Sequence, residues 1–285
     1  MKVLLISPEI QPFAGSEFIS DFSNQFPVIA QELKNDIRLI MPKYPFISER
    51  KFTLREVIRL KEIMVEWNGE TKVASIKSAF VPNTKVQIYF LHQNDFFSMI
   101  DERIYKAKGA RKVLDATDDR YSFFVKASLE SLQYLHWQPD VIYCCGWTTA
   151  VAPIIYKALY SKNEFYENIK FVFLPFTANE PTSFSVDSLY KSKIEPDNPE
   201  IKNIVLDKKG FFSPTAEAIR YSDSVFAVDY MKSGLTKSLR ADKTTSGAIK
   251  ALKKNFKTFN ISSKDDDVIA KASIDMLDTL DNIIS

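Results

Sequence analysis

Six consecutive residues carry the densest chemistry in this sequence: Cys144, Cys145, Gly146, Trp147, Thr148 and Thr149. A thiolate can attack an electrophile or bind a soft metal, a glycine turn lets backbone approach a ligand closely, and an indole can stack on a sugar face. Thiol chemistry needs a basic neighbour or a spaced cysteine pair, and the chain has neither, with 2 histidines in all. Cys144 and Cys145 therefore read as inert core thiols. Adjacent residues on a strand point to opposite faces, which disfavours a disulfide between them. Trp147 stays open between a sugar-stacking residue and a packing residue wedged between turn and sheet. A second candidate is Gly15-Ser16, just ahead of a helical pattern, where free backbone N–H groups could hold an anion. Glu17 there most simply satisfies the helix dipole, and Asp21 is either a ligand contact or a helix-surface acid. His92 closes an apolar run, and His136 ends a helical one, where a cation is favourable; both read as structural. No metal and no cofactor are expected.

These residues need a frame, and composition bounds it. At 285 residues, 45% hydrophobic and 26% charged, the chain has the make-up of an ordinary soluble globular protein, and its length allows one large α/β domain or two small ones. A net charge of +2 gives no pull toward nucleic acid or a membrane surface. Two thiols without a disulfide framework suit a reducing cytoplasm, and the apolar run Val3 to Ile6 is too short for a signal-peptide core. No window is apolar for long enough to cross a bilayer. A cytoplasmic location is expected.

The elements that must position the candidates follow from periodicity. Continuous apolar runs at 2–7, 36–41, 86–91, 140–145, 169–174 and 224–228 read as parallel strands buried on both faces. Helical patterns fall between them, at about Glu17 to Lys34, Thr117 to His136, after Gly146 to Tyr160, and from Ser213-Pro214 to Ser222, with a short one to about Leu239. The fold class is a three-layer, Rossmann-like α/β domain with a mostly parallel sheet. Two alternating segments around Asn68-Gly69 predict an antiparallel hairpin added to that sheet. The sequence from Phe176 to Phe212 lacks periodicity and reads as a long surface excursion. Arg240 to Gly247 reads as a flexible connection. From Asp265 to Ile284, an acidic start and an apolar stripe predict an amphipathic helix. One domain is expected over 1–239, with 240–285 a connection and a terminal helix packed on the same domain.

Several literal stretches are similar to the amino-terminal domain of the bacterial glycogen synthase/starch synthase family. In "MKVLLISPEIQPFAGSEFISDFSNQFP", Glu9, Pro12, Asp21 and Pro27 fall at the family's spacing. "IRLIMPKYP" resembles its second strand. Pro139, Asp140, Trp147, Thr149, Ala152 and Pro153 fit its Pro-Asp-Val-x-His-x-His-Asp-Trp-His-Thr stretch and the helix that follows, and "AIRYSDSVFAV" resembles a later segment. The resemblance runs from about Met1 to Leu239. It implies the first half of a two-domain GT-B glycosyltransferase, a retaining enzyme that uses ADP-glucose. The departures fall where that chemistry sits. The family's lysine before Thr-Gly-Gly matches Gly15, its threonine Ser16, and its two glycines Glu17 and Phe18. Within His-Asp-Trp-His, Cys145, Gly146 and Thr148 stand for histidine, aspartate and histidine. Leu174 and Pro175 replace His-Asn, and Ala216 replaces a lysine.

Three function classes remain. One is a pseudoenzyme: a domain not catalytically competent alone, with a glucan-binding or protein-binding role. The second is a working glycosyltransferase, alone or completed by a separate carboxyl-terminal domain on another chain. The third is a Rossmann-like domain with a new small-molecule chemistry. Losing a second domain would uncover the carboxyl ends of the strands, where Pro12, Phe13, Phe18, Trp147, Phe176 and Phe184 cluster, so a homodimer or a protein partner over that face is expected.

Overall fold

The computed structural model describes residues 1–15, 18–105, 114–176 and 183–284, the last three without their side chains. Strand β1 (Lys2–Ile6) leads through helix α1 (Phe18–Glu32) to β2 (Asp36–Pro42), which pairs parallel to β1 from Lys2↔Asp36 onward. A charged two-residue strand, β3 (Arg55–Glu56), and the hairpin of β4 (Ile63–Trp67) and β5 (Glu70–Phe80) follow. Asn68 and Gly69 join the hairpin with φ of 51° and 77°, the doubly left-handed turn that matches strand twist. Then come β6 (Gln87–His92), the short α2 (Asn94–Phe97) and the long α3 (Thr117–Leu135). His136 ends α3 by taking a left-handed conformation, φ 50°. Beyond it lie β7 (Val141–Cys145), α4 (Ala152–Leu159), β8 (Lys170–Leu174), β9 (Phe184–Ser185), α5 (Asp187–Lys191), β10 (Phe211–Phe212), α6 (Pro214–Tyr221) and β11 (Ser224–Tyr230). Helices α7 (Leu235–Ala241) and α8 (Lys243–Leu252), strand β12 (Phe256–Ile261) and helix α9 (Asp266–Ile284) complete the order.

The main sheet runs β12-β11-β8-β7-β1-β2-β6-β5-β3, with β4 on β5. It is parallel from β12 through β6, and the hairpin joins antiparallel through β5. The central strands are apolar along their length because both faces are covered; β7, for example, is buried at every residue. Helix α9 lies against α1, while α4, α6 and α8 pack successively and α3 meets α4. Right-handed crossovers place these two groups of helices on opposite faces. The sequence from β1 to β2 runs one way and the strands from β7 onward run the other, so the chain reverses direction between β1 and β7. In such sheets the crevice outside the carboxyl ends at that reversal is the usual ligand position.

Three expectations need correction. Residues 240–247 are not a flexible connection: α7 runs to Ala241, and the Asp242 carboxylate accepts from the Thr244 and Thr245 amides to start α8. Strand β12 was not foreseen at all. From Phe184 onward the excursion is not a bare surface loop. It carries the β9–β10 pair and buries Phe184, Leu189, Ile194, Ile201 and Ile204 against the core; residues 177–182 lie outside the described ones. Among the described residues, no helix is long and apolar enough to cross a membrane.

Candidate functional site

The crevice between β1 and β7 brings together the loop after β1, the start of α1 and the turn after β7. That turn is built around Gly146, whose φ of 75° and ψ of 173° lie in a region essentially reserved for glycine. Its amide donates to the Leu174 carbonyl at 2.9 Å, tying the β7 exit to the β8 exit. The Thr149 hydroxyl donates to the Cys145 carbonyl at 2.9 Å and closes the first turn beyond. A Cβ on Gly146 would stand 2.8 Å from Ile19 Cδ1. The first turn of α1 therefore approaches the β7 turn closely through the Ile19 side chain.

Aromatic rings cluster beside it. Phe18, the first residue of α1, stacks on Tyr230 at the end of β11, with centroids 3.5 Å apart and planes 5° from parallel. Phe176, after β8, meets Phe18 at 6.1 Å and Phe22 at 5.2 Å. Trp147 is buried between Tyr105 at 5.8 Å and Phe184 at 6.0 Å. Of the residues expected at that face, Phe13 packs on Phe52 and Phe90, Trp147 on Phe184, and Phe18 on Phe176; Phe13, Trp147, Phe176 and Phe184 are buried, Phe18 is half-buried, and Pro12 is exposed.

Behind the rings lies a polar layer that is satisfied internally. Glu9 is fully buried and accepts from the Tyr105 hydroxyl at 3.1 Å. The Ser7 hydroxyl donates to the Glu9 carbonyl at 2.8 Å and lies 3.0 Å from the Ser23 hydroxyl. Tyr44 donates to the Pro8 carbonyl at 2.7 Å and pairs with Tyr121 at 3.0 Å. Burial raises both phenols, so they stay protonated. Burial also raises the thiols of Cys144 and Cys145, the latter against an opposing hydrogen bond with Ser23. A thiol held protonated is neither nucleophile nor metal ligand. The Thr148 hydroxyl is the exception in this region, buried with no hydrogen-bond partner among the described residues.

The structure gathers Phe18, Cys145, Gly146, Trp147, Thr148, Leu174 and Pro175 around this crevice. It sends others elsewhere. The Asp21 carboxylate faces Lys264 across 3.7 Å on the α1 surface. Ala216 is buried in the first turn of α6, its amide given to the Ser213 hydroxyl at 3.2 Å. Gly15 is set by crowding, since a Cβ would meet the Gln11 side-chain nitrogen at 2.2 Å. Ser16 and Glu17 lie outside the described residues. Tyr105, Tyr230 and Ser23 were missed. Tyr230 carried a usable signal, because it directly follows the apolar run of its strand; Tyr105 and Ser23 carried none.

Comparison with known proteins fits this geometry. A family model described as starch synthase catalytic domain matches residues 2–234. A glycogen synthase from Chlorobium phaeovibrioides is 32% identical over 195 residues, and one from Pelodictyon phaeoclathratiforme is 35% identical over 195 residues. Each alignment covers 68% of this chain and 37% of the relative, so the matched part is little over a third of the relatives' length. Among solved structures, the catalytic domain of starch synthase IV from Arabidopsis thaliana, bound to ADP and acarbose, superposes with a TM-score of 0.74 at 20% identity. That match covers 90% of this chain and 50% of the other. The chain belongs to the starch synthase catalytic domain family.

Proposed function

We propose that this starch synthase-type domain does not transfer glucose by itself and serves instead as a binding domain, for a glucan or for a protein. One observation supports the reading: beside the Gly146 turn, where Ile19 comes close, Phe18 stacks on Tyr230, so an apolar ring pair and no cation faces the crevice. Glucosyl transfer from a sugar nucleotide needs space for the donor and positive groups placed where charge develops on the departing phosphate. Gly15, Cys145, Gly146, Thr148, Leu174 and Ala216 supply no cation. Calorimetry with ADP-glucose should give no binding heat, and glycogen should gain no glucose above a no-enzyme control. Co-sedimentation with glycogen then separates a glucan ligand from a protein one. Turnover above control that disappears in Trp147→Ala would overturn the reading.

A second reading rests on the extent of the match, 37% of the relatives' length. In it, a separate chain supplies the other half of a glycosyltransferase. Adding a separately expressed carboxyl-terminal half of one of those relatives would then produce ADP-glucose turnover, whereas the first reading expects none.

A further inference from the structure

The two ends of the main sheet are finished differently. At one end, β3 is two residues long, and both Arg55 and Glu56 are charged and exposed. Short, charged edges discourage pairing with another chain. At the other end β12 has six residues, no proline and a free outer edge. The Ile261 carbonyl accepts from the Met231 amide at 2.7 Å on the β11 side. Backbone groups alternate along a strand, so the amides and carbonyls of Thr258 and Asn260 turn outward. Both residues are exposed. An open groove of about 660 Å³ runs along this edge, between Thr258, Phe259 and Asn260 on the strand and Val268, Lys271 and Asp275 on α9.

Charge along β12 is polarised. Lys253, Lys254 and Lys257 lie at its beginning; after its end come Lys264, which faces Asp21 of α1, and then Asp265, Asp266 and Asp267, all exposed and together net negative, with Asp266 also accepting from the Gln25 side chain at 3.0 Å. A second copy of the same strand laid antiparallel puts each basic beginning beside the other copy's acidic end, twice over. A parallel copy puts like charges together, and like charges directly opposite destabilise a strand pair. We infer that β12 is a homodimer interface, at which two copies of this chain join antiparallel about a two-fold axis near Thr258 and Phe259. The two sheets become continuous through the outward groups of Thr258 and Asn260, and the lysine and aspartate clusters pair reciprocally across the axis, as an isologous interface requires. This surface is separate from the crevice at the β1/β7 carboxyl ends, and the inference stands apart from the question of glucose transfer.

Light scattering across a micromolar-to-millimolar concentration series tests it. The wild-type chain should approach twice its single-chain mass. Thr258→Pro, which removes one outward amide, should be monomeric with an unchanged circular dichroism spectrum. Should that variant fail to fold, exposed charges provide a second route. Lys254→Glu/Lys257→Glu and Asp266→Lys/Asp267→Lys should each be monomeric alone, while an equimolar mixture restores a dimer containing one of each. A wild-type chain that stays monomeric throughout the series overturns the inference. So does a dimer that survives both charge reversals unchanged.

Discussion

At Gly146 a single hydrogen atom in place of a side chain meets two requirements at once. The residue adopts φ 75° with ψ 173°, and its missing Cβ leaves space for Ile19 Cδ1. Gly146→Ala should therefore cost about 1–3 kcal/mol from backbone strain, because that conformation suits essentially glycine alone. Chemical denaturation checks it. Trimming the contact with Ile19→Val should relieve only the steric part of that cost and leave the backbone strain. The adjacent thiols give a sharper test of what this turn is for. Cys144 and Cys145 are fully buried, and burial holds both well above the usual thiol range. Iodoacetamide at mildly alkaline pH should leave the native protein unlabelled and modify both positions only after unfolding, as read by mass spectrometry. Rapid native labelling would mean an accessible thiolate and would reopen a nucleophilic role for the site. The neutrality of the site was legible in the sequence, because Cys145, Gly146 and Thr148 are plain to read. Its ring packing was not. That depends on Phe18 meeting Tyr230, residues more than two hundred positions apart, and no local pattern encodes their meeting.

Elements separate in the same way into those that announce themselves and those that do not. Strands β1, β2, β6, β7, β8 and β11 are buried on both faces and so appear as unbroken apolar runs. Strand β12 is an edge, with Lys257, Thr258 and Asn260 facing solvent, so Phe256, Phe259 and Ile261 form no continuous apolar run. Helix α8 was hidden for a related reason: Thr244, Thr245, Ser246 and Gly247 are weak helix formers that suggest a turn. What starts the helix is a cap. The Asp242 carboxylate accepts from the Thr244 amide at 2.8 Å and the Thr245 amide at 3.0 Å, and these bonds, with that from the Thr244 hydroxyl foremost, hold its carboxyl below the usual range. Asp242→Ala should cost about 1 kcal/mol, the ordinary value of a lost N-cap. The stability this cap adds is present above the carboxyl's unfolded pKa and is lost as pH falls through the lowered folded one. Urea titrations of wild type and Asp242→Ala should therefore differ at neutral pH and converge in strong acid. A constant gap at all pH values would mean that the cap is not the source.

Across the whole molecule, one sheet and one hydrophobic cluster run from the hairpin at one end to α9 at the other. Helix α9 lies against α1 and β12, burying Ile269, Met276, Leu277 and Leu280. On the same face, Phe26 of α1 meets Tyr143 of β7 at 5.1 Å, and Tyr143 meets Phe226 at 6.2 Å, so the stripe of α9 joins a chain of contacts that reaches the central strand. The three tryptophans report from elsewhere: Trp67 ends β4, Trp137 follows α3, and Trp147 follows β7. If the cluster unfolds as a unit, a cavity in the last helix must register at all of them. Leu280→Ala removes a fully buried side chain and should cost about 2–5 kcal/mol. The tryptophan fluorescence and circular dichroism transitions should move together by the same amount, since coincident probes are the mark of a cooperative unit. Chains of this length often unfold through intermediates, which gives the comparison its force. A helical signal that melts early while fluorescence stays at the wild-type midpoint would show that α9 detaches alone and contributes nothing to the stability of the sheet beneath it.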